Sequence, residues 1–542
     1  MSSDYPLISG TLFYLTFFTK NHSWRLCLYQ QSIYNVLEEC MRIKNYDDLI
    51  SHGNIAGRKI AAQIMQAALE AGNPYNNTLK LVSIKDNKLI FDNKDMESQG
   101  DPRSGPEIFD LKETDRIFIF AVGKGILYIV KALEEVLGDN LTGGIAIGKH
   151  GDEKITERVK VILGGHPVPD EDGIDGCRQI LQMAASLKLT ERDLVITAMG
   201  NGCSALAAYP DEGISIEDVK FLNQFGLIDN GMTTEAMSYL RNQIDLFRGG
   251  RVLKAMRPAK MINLIGVAPG TAVTQMSPGA PQYKTEYESF LRNNLWLPNM
   301  PDCTNTKRAI KIANEYGVFE GLPRSIRNKL LSNPEESSTL SYEEYESYNC
   351  RLFGVMPKHM NAYSAAMAKA EELGYKAFTL TDRTKCEAGP AGQYVASLAK
   401  YNDRTKEVFK APCALFQTGE LIATIRNEVG IGGTNQEYCV AAATVLDGNK
   451  NIVMAGIDTD GTDGPGGDFH PDATAKGINC LTGGIVDGYT AAEAREKGID
   501  LLTAIRTHGT SRPLWELKSG IAAVQNIGVG DMQVAIIMEE EN

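Results

Sequence analysis

From residue 52 onward the hydrophobic positions recur with clear periods. Residues 55–71 (IAGRKIAAQIMQAALEA) place apolar side chains at helical spacing and stop before Gly72, which predicts an amphipathic helix. A loop-rich stretch, 73–115, follows. Residues 116–122 (RIFIFAV) then form a continuous apolar run that turns at Gly123-Lys124-Gly125 into the helix-like segment ILYIVKALEEVL. Strand, glycine turn and helix in that order open a βα unit. Short buried strands are predicted again at 144–148, 159–164 and 193–199, with a helix over 174–187 between them. Residues 216–256 read as helical and 261–267 as a strand. Between 270 and 350 the period is lost and Pro, Asn and Ser accumulate, which marks a domain connection. The second half restarts with a helix at 359–373 and strands at 376–380, 412–417 and 421–426. It continues with a helix at 434–446, a strand at 452–457, an acidic glycine loop, a helix at 490–497 and a strand at 532–538. Strands alternating with helices predict an α/β protein of two lobes, with parallel or mixed sheets flanked by helices and a cleft between the lobes.

Composition narrows the picture. With 43% hydrophobic and 23% charged residues in 542, the chain is globular and long enough for more than one core. Its formal charge of −13 repels phosphate backbones, so no nucleic-acid partner is expected. The 10 cysteines are scattered singly without metal spacing, which predicts reduced thiols and a cytoplasmic location. The apolar stretch 5–18 is too short to span a bilayer and lacks a basic flank and a cleavage site, so no membrane partner is expected either. Residues 1–45 differ in texture from the rest and read as an N-terminal extension, with Met41 as an alternative start. A homo-oligomer is compatible with this composition.

Four loops at predicted strand ends combine glycine with polar residues, where ligands of parallel sheets bind. Gly123-Lys124-Gly125 sets a cation beside free backbone N–H groups, a combination suited to phosphate or carboxylate, although it is not a Walker A loop. Gly200-Asn201-Gly202, with Ser204 and Ala205, fits both a dinucleotide fingerprint and an anion cradle. Glu420 and then Gly432-Gly433-Thr434-Asn435-Gln436-Glu437 place a glycine-rich loop at a helix start, which points to a ligand contact. Asp458, Asp460 and Asp463 cluster three carboxylates in six residues, a set that an oxygen-seeking Mg²⁺ would neutralise or that water would solvate. Arg241 and the Arg248–Arg251 segment suit bidentate recognition of a carboxylate or phosphate.

Taken together these loops resemble the glycerate 2-kinase family, whose second half carries a MOFRL-type domain. The matching stretches are Gly123-Lys124, Gly165-His166-Pro167-Val168-Pro169-Asp170, the 200–206 loop, Arg241 with 248–251, Gly432 to Glu437 and the TDGTDGP run at 459–465. Gly488-Tyr489-Thr490 and Val529-Gly530-Asp531 extend the likeness, which covers about 52–538. The resemblance implies a glycerate-kinase-like domain over 46–345 and a MOFRL-like domain over 346–542. It further implies transfer of the γ-phosphoryl of ATP, with Mg²⁺, to the 2-hydroxyl of glycerate or a related small hydroxy acid. On that reading Lys124, Arg241 and Arg248 are catalytic, and the nucleotide lies against Gly200, Asn201, Gly202, Ser204, Glu420 and 432–437. Asp458, Asp460 and Asp463 hold the metal. An NAD(P)-dependent hydroxypyruvate reductase and a non-catalytic binding homologue are the alternatives. The chain departs from the family at Thr434, where the family has arginine, and at Asn201, 266–270 and 522–527. All four departures fall in predicted ligand loops, which implies an altered substrate or weak activity on an unchanged fold.

Overall fold

Strand propensity and glycine turns place three sheets in the computed structural model. It describes residues 41–166, 168–269, 283–332, 338–425, 430–464, 466, 473, 475–528 and 530–539. The expected extension before residue 41 lies outside these, as do Arg426, Asp468, His470 and Asp472. The chain divides into Met1–Arg42 and Ile43–Asn542, and every element below belongs to the second part.

Strands β1 (Val82–Lys85), β2 (Lys88–Phe91) and β3 (Glu107–Asp110) form a small antiparallel sheet inside the stretch expected to be loop. Each has four residues and turns only one or two inward, such as Leu89, Phe91 and Phe109, so no alternation stands out in the sequence. The next sheet is wholly parallel and contains β4 (Ile117–Val122), β5 (Leu141–Lys149), β6 (Lys160–Gly164), β7 (Leu194–Met199), β8 (Lys260–Ile265) and β9 (Cys350–Gly354). Along β4, Phe118, Phe120 and Val122 enter one apolar cluster while Ile117, Ile119 and Ala121 enter another. Burial on both faces explains the continuous apolar run. The strand order is β6-β5-β4-β7-β8-β9, which is the doubly wound order with its reversal between β4 and β7.

A mixed sheet follows, with β10 (Lys376–Thr384), β11 (Cys413–Gly419), β12 (Ile452–Asp458), β13 (Gly483–Asp487), β14 (Gly520–Ile521) and β15 (Asp531–Ile537). Their order is β10-β11-β15-β12-β13-β14; only β10 and β11 pair in parallel. Two segments cross between the large sheets. β9 still completes the parallel sheet, whereas the helix Ile55–Ala71 packs Ala61, Ile64, Met65 and Leu69 on the mixed sheet beside Val453, Val534 and Ile536.

Three expectations are corrected. The helix expected over 216–256 is broken into Ile216–Asn223, a π-turn at Gln224–Asp229, Thr234–Arg241 and Arg251–Ala255. The Thr233 side chain accepts from the Ala236 N–H and starts a new helix, and Gly249 and Gly250 at φ +62° and +75° end the run. The stretch after 270 carries the helices Glu286–Asn293, Thr306–Glu315, Arg324–Ser332 and Tyr342–Ser347. Two of them share an apolar cluster with Val219, Leu222, Met237 and Leu240. No strand forms over 421–425: the Leu421 N–H donates to the Asp531 carboxylate at 2.6 Å, and Ile422 makes a lone bridge to Glu387. Among the described residues no helix is long and apolar enough to cross a membrane.

Candidate active site

The order reversal of the parallel sheet puts two glycine turns side by side. Gly123-Lys124-Gly125 leaves β4 and Gly200-Asn201-Gly202 leaves β7, the place where doubly wound sheets bind ligands. The Lys124 N–H donates to the Asn201 carbonyl at 2.7 Å. Gly202 has φ +80°, and a Cβ there would lie 2.9 Å from the His166 ring and 3.1 Å from the Lys124 stem, so no larger residue fits without displacing both.

The mixed sheet presents three strand ends to this crevice. Gly419, Asp531 and Asp458 are register partners across β11, β15 and β12. The loop after β12 then folds Asp460 onto Lys124, whose Nζ pairs with Asp460 Oδ2. Asp458 Oδ1 accepts the Asp460 N–H at 3.0 Å, and Asp460 Oδ1 accepts that of Thr462 at 2.9 Å. Burial alone would lower the Lys124 amine, but Asp460 and Asp458 outweigh it and hold the pKa above its usual value. Burial and the Asp460 charge push Asp458 well above the ordinary carboxylate range; burial and the Asp463 charge do the same to Asp531.

Asp463 is placed differently from the two aspartates it was grouped with. Its Oδ1 accepts the Thr434 hydroxyl and the Asn435 N–H, each at 3.3 Å, and its Oδ2 accepts the Gln436 N–H at 2.9 Å. It therefore caps the helix Thr434–Leu446 from outside, in the place a side-chain cap takes when the N-cap residue, here Gly433, has none. Burial raises its pKa to about 6 in spite of these donors. Asn435 and Gln436 are buried as well: Asn435 Nδ2 donates to Asp531 Oδ1 at 2.6 Å, and Gln436 Oε1 accepts from Ser511. Neither faces a ligand.

A cavity of about 540 Å³ lies over the Lys124–Asp460 pair. Of the expected residues it is lined by Lys124, Asn201, Gly202 and Ser204 on the parallel-sheet side. Glu420, Gly432, Gly433, Thr434, Glu437, Asp458, Asp460 and Asp463 line it on the mixed-sheet side. Gly200, Asn435, Gln436, Arg241 and Arg248 do not. Arg248 is buried behind the wall, donating to the Cys203 and Trp296 carbonyls at 2.8 Å each and to Asn242 at 3.3 Å. The sequence reading missed Asp531, Trp296, Thr234 and His508 on the lining. His508 Nδ1 lies 2.7 Å from the Glu437 carboxylate and fixes it. Asp531 was legible only as the acid of a glycine-acid pair before a strand. His166 also stands at the Gly202 turn; burial, then Lys124 and Lys149, lower its pKa well below 6.5 and keep the ring neutral.

Fold and site thus define a two-lobed α/β protein with a lysine–carboxylate cavity where loops of two sheets meet. Comparison with known proteins places it further. Residues 60–266 match the family model described as a domain of unknown function, DUF4147, and residues 413–525 match the MOFRL family. A Pyrococcus horikoshii protein named glycerate 2-kinase is 28% identical over 84% of this chain and 92% of its own. An Agrobacterium vitis protein named putative hydroxypyruvate reductase is 26% identical over 72% of this chain and 91% of its own. The crystal structure of glycerate kinase from Thermotoga maritima superposes with a TM-score of 0.61 at 26% identity, covering 89% of this chain and 99% of that one. The chain belongs to the glycerate 2-kinase family, with a DUF4147 segment followed by a MOFRL segment.

Proposed function

We propose that the protein transfers the γ-phosphoryl group of ATP to the 2-hydroxyl of glycerate or a closely related small hydroxy acid. The observation that carries this reading is the buried Lys124 amine held against Asp460 on the floor of a cavity shared by both sheets. The oxygen-only donors Asp458, Asp460 and Asp531 fit Mg²⁺, whose chemistry there is to neutralise phosphate charge. Asp463 is excluded from that set because its oxygens cap a helix. The acceptor oxygen bonds to the γ-phosphorus as the bond to the β-bridging oxygen breaks, ADP leaves, and the hydroxyl proton passes to solvent. Such transfer requires positioning and charge more than covalent participation, and Lys124 supplies a fixed cation for the charge. Asn201, Gly202 and Ser204 lie where they can orient the donor.

The reductase reading gains less support. A dinucleotide fingerprint belongs on the first βα turn of such a sheet, whereas Gly200-Asn201-Gly202 follows the fourth strand and opens a helix of only four residues, Cys203–Leu206. The test is an assay of ADP formation with Mg·ATP against a panel of 2-hydroxy acids. Glycerate-dependent ADP formation is expected; its absence with every acid overturns the proposal, and oxidation of glycerate coupled to NAD(P) would replace it.

A further inference from the structure

Arg241 ends the helix Thr234–Arg241 and is 4% exposed. Its Nε and Nη2 both donate to Asn223 Oδ1, at 3.0 and 2.7 Å, while Nη1 has no hydrogen-bond partner. No carboxylate among the described residues pairs with it, and the charge nearest to it is another cation, Arg248. Burial and Arg248 lower its pKa to about 9. A guanidinium held dry without a counter-ion is costly, and folds retain such groups where a ligand supplies the missing charge. Arg248 is a different case, since each of its three nitrogens donates to the protein.

The position of Arg241 relates it to the cavity. Arg248 is bonded to the carbonyls of Cys203 and Trp296; Trp296 and Ser204, the neighbour of Cys203, line the cavity wall. Thr234, two turns before Arg241 on the same helix face, lines it too. Arg241 therefore lies in the layer behind the wall made by Ser204, Thr234 and Trp296. The transferred phosphoryl and its cation already meet Lys124 and the aspartate row, so the second anion of the reaction is the carboxylate of the acceptor.

We propose that the free Nη1 of Arg241 receives the carboxylate of the acceptor acid, with Asn223 and Arg248 positioning the guanidinium. This rests on the kinase reading for the identity of the acid, but it is tested by binding and not by turnover. Calorimetric titration of the full chain with D-glycerate, with glycerol (which has no carboxylate) and with Mg·AMP-PNP is compared for wild type, Arg241→Gln and Arg241→Lys. Removing one charged hydrogen bond should weaken glycerate binding by about 10- to 100-fold, with Arg241→Lys between the two and Mg·AMP-PNP affinity unchanged. Glycerol should bind all three variants equally weakly. Thermal unfolding separates a structural role: loss of an unpaired buried charge should leave the melting temperature of Arg241→Gln unchanged or higher. Equal glycerate affinity in wild type and Arg241→Gln overturns the inference. So does a loss of Mg·AMP-PNP binding instead, which would assign the arginine to the nucleotide, and so does the failure of wild type to bind any 2-hydroxy acid. A steep fall in melting temperature that accounts for the lost binding overturns it as well. If wild type binds glycerate through Arg241 but forms no ADP, this inference stands and the kinase reading fails.

Discussion

Lys124 and Lys149 show how one cavity sets two amines to different tasks. Lys124 is neutralised by Asp460 and stays charged, so it can meet a developing negative charge without reorganising. Lys124→Ala is expected to lower kcat by about 10²–10³. It also leaves Asp460 buried and unpaired, which costs about 3–5 kcal/mol, so turnover must be normalised to the folded fraction measured by circular dichroism. Near-normal normalised turnover would remove Lys124 from the mechanism. Lys149 is buried at the end of β5, and burial together with the Lys124 charge lowers its pKa to about 8. Its folded pKa lies below the unfolded 10.5, so between these values the unfolded chain holds a proton that the folded chain has lost. At this site stability therefore rises as pH increases from about 8 toward 10.5. Urea unfolding at pH 7, 8 and 9 should show wild type gaining on Lys149→Met with each step, and a constant difference would refute the assignment.

The helix Thr434–Leu446 is the element on which site and scaffold meet. Asp463 serves as its cap, so Asp463→Ala should cost about 0.5–2 kcal/mol of stability with the Mg²⁺ requirement of activity unchanged. Asp458→Asn and Asp531→Asn should instead raise that requirement. Equal behaviour of all three in a Mg²⁺ titration would mean that they act as one group. Thr434 begins the same helix on the cavity and occupies the place of the family arginine. Arg248 cannot replace that arginine without breaking its bonds to Cys203 and Trp296. Arginines on transferring phosphoryl groups are worth about 10³–10⁵ in kcat, so slow turnover is expected from wild type and a gain of about tenfold or more from Thr434→Arg in steady-state assays. A fast wild type with a neutral or harmful Thr434→Arg would show that another cation fills the site. Much at this scale was legible in the sequence. The helix at 434–446 and the strand runs around 117–122 and 194–199 carry periods long enough to stand out. The small antiparallel sheet was hidden because four-residue strands show too few alternations. The capping role of Asp463 was hidden because it depends on a helix start about thirty residues earlier in the chain. The burial of Arg248 depends on carbonyls that local spacing does not reveal.

Across the whole molecule, the two large sheets are tied by segments that leave sequence order. Arg58, on the first long helix, is fully buried against Asp487 of β13 at 2.5 Å and also donates to Thr490 and Ser519. Burial would raise the Asp487 carboxyl, but Arg58 and the N–H groups of Asn54 and Tyr489 hold it below 3.8. Because that folded pKa lies below the unfolded one, this contribution is present above pH 4 and is lost as pH falls through the folded value. Arg58→Ala should lower stability by about 3–5 kcal/mol, since it strands a buried carboxylate. Calorimetry should show the transition shifted as a whole, and an unchanged melting temperature would show the pair to be dispensable.

The crossing of that helix also bears on synthesis. A ribosome releases Ile55–Ala71 long before any strand of the mixed sheet exists, so its row of Ala61, Ile64, Met65 and Leu69 emerges with nothing to cover it. The parallel sheet can close once β9 has emerged, but the helix must wait for β12 and β15 from the last hundred residues of the chain. Over that interval the nascent protein carries an exposed apolar ridge of the kind that recruits chaperones or aggregates, and a fragment stopped after residue 354 inherits it permanently.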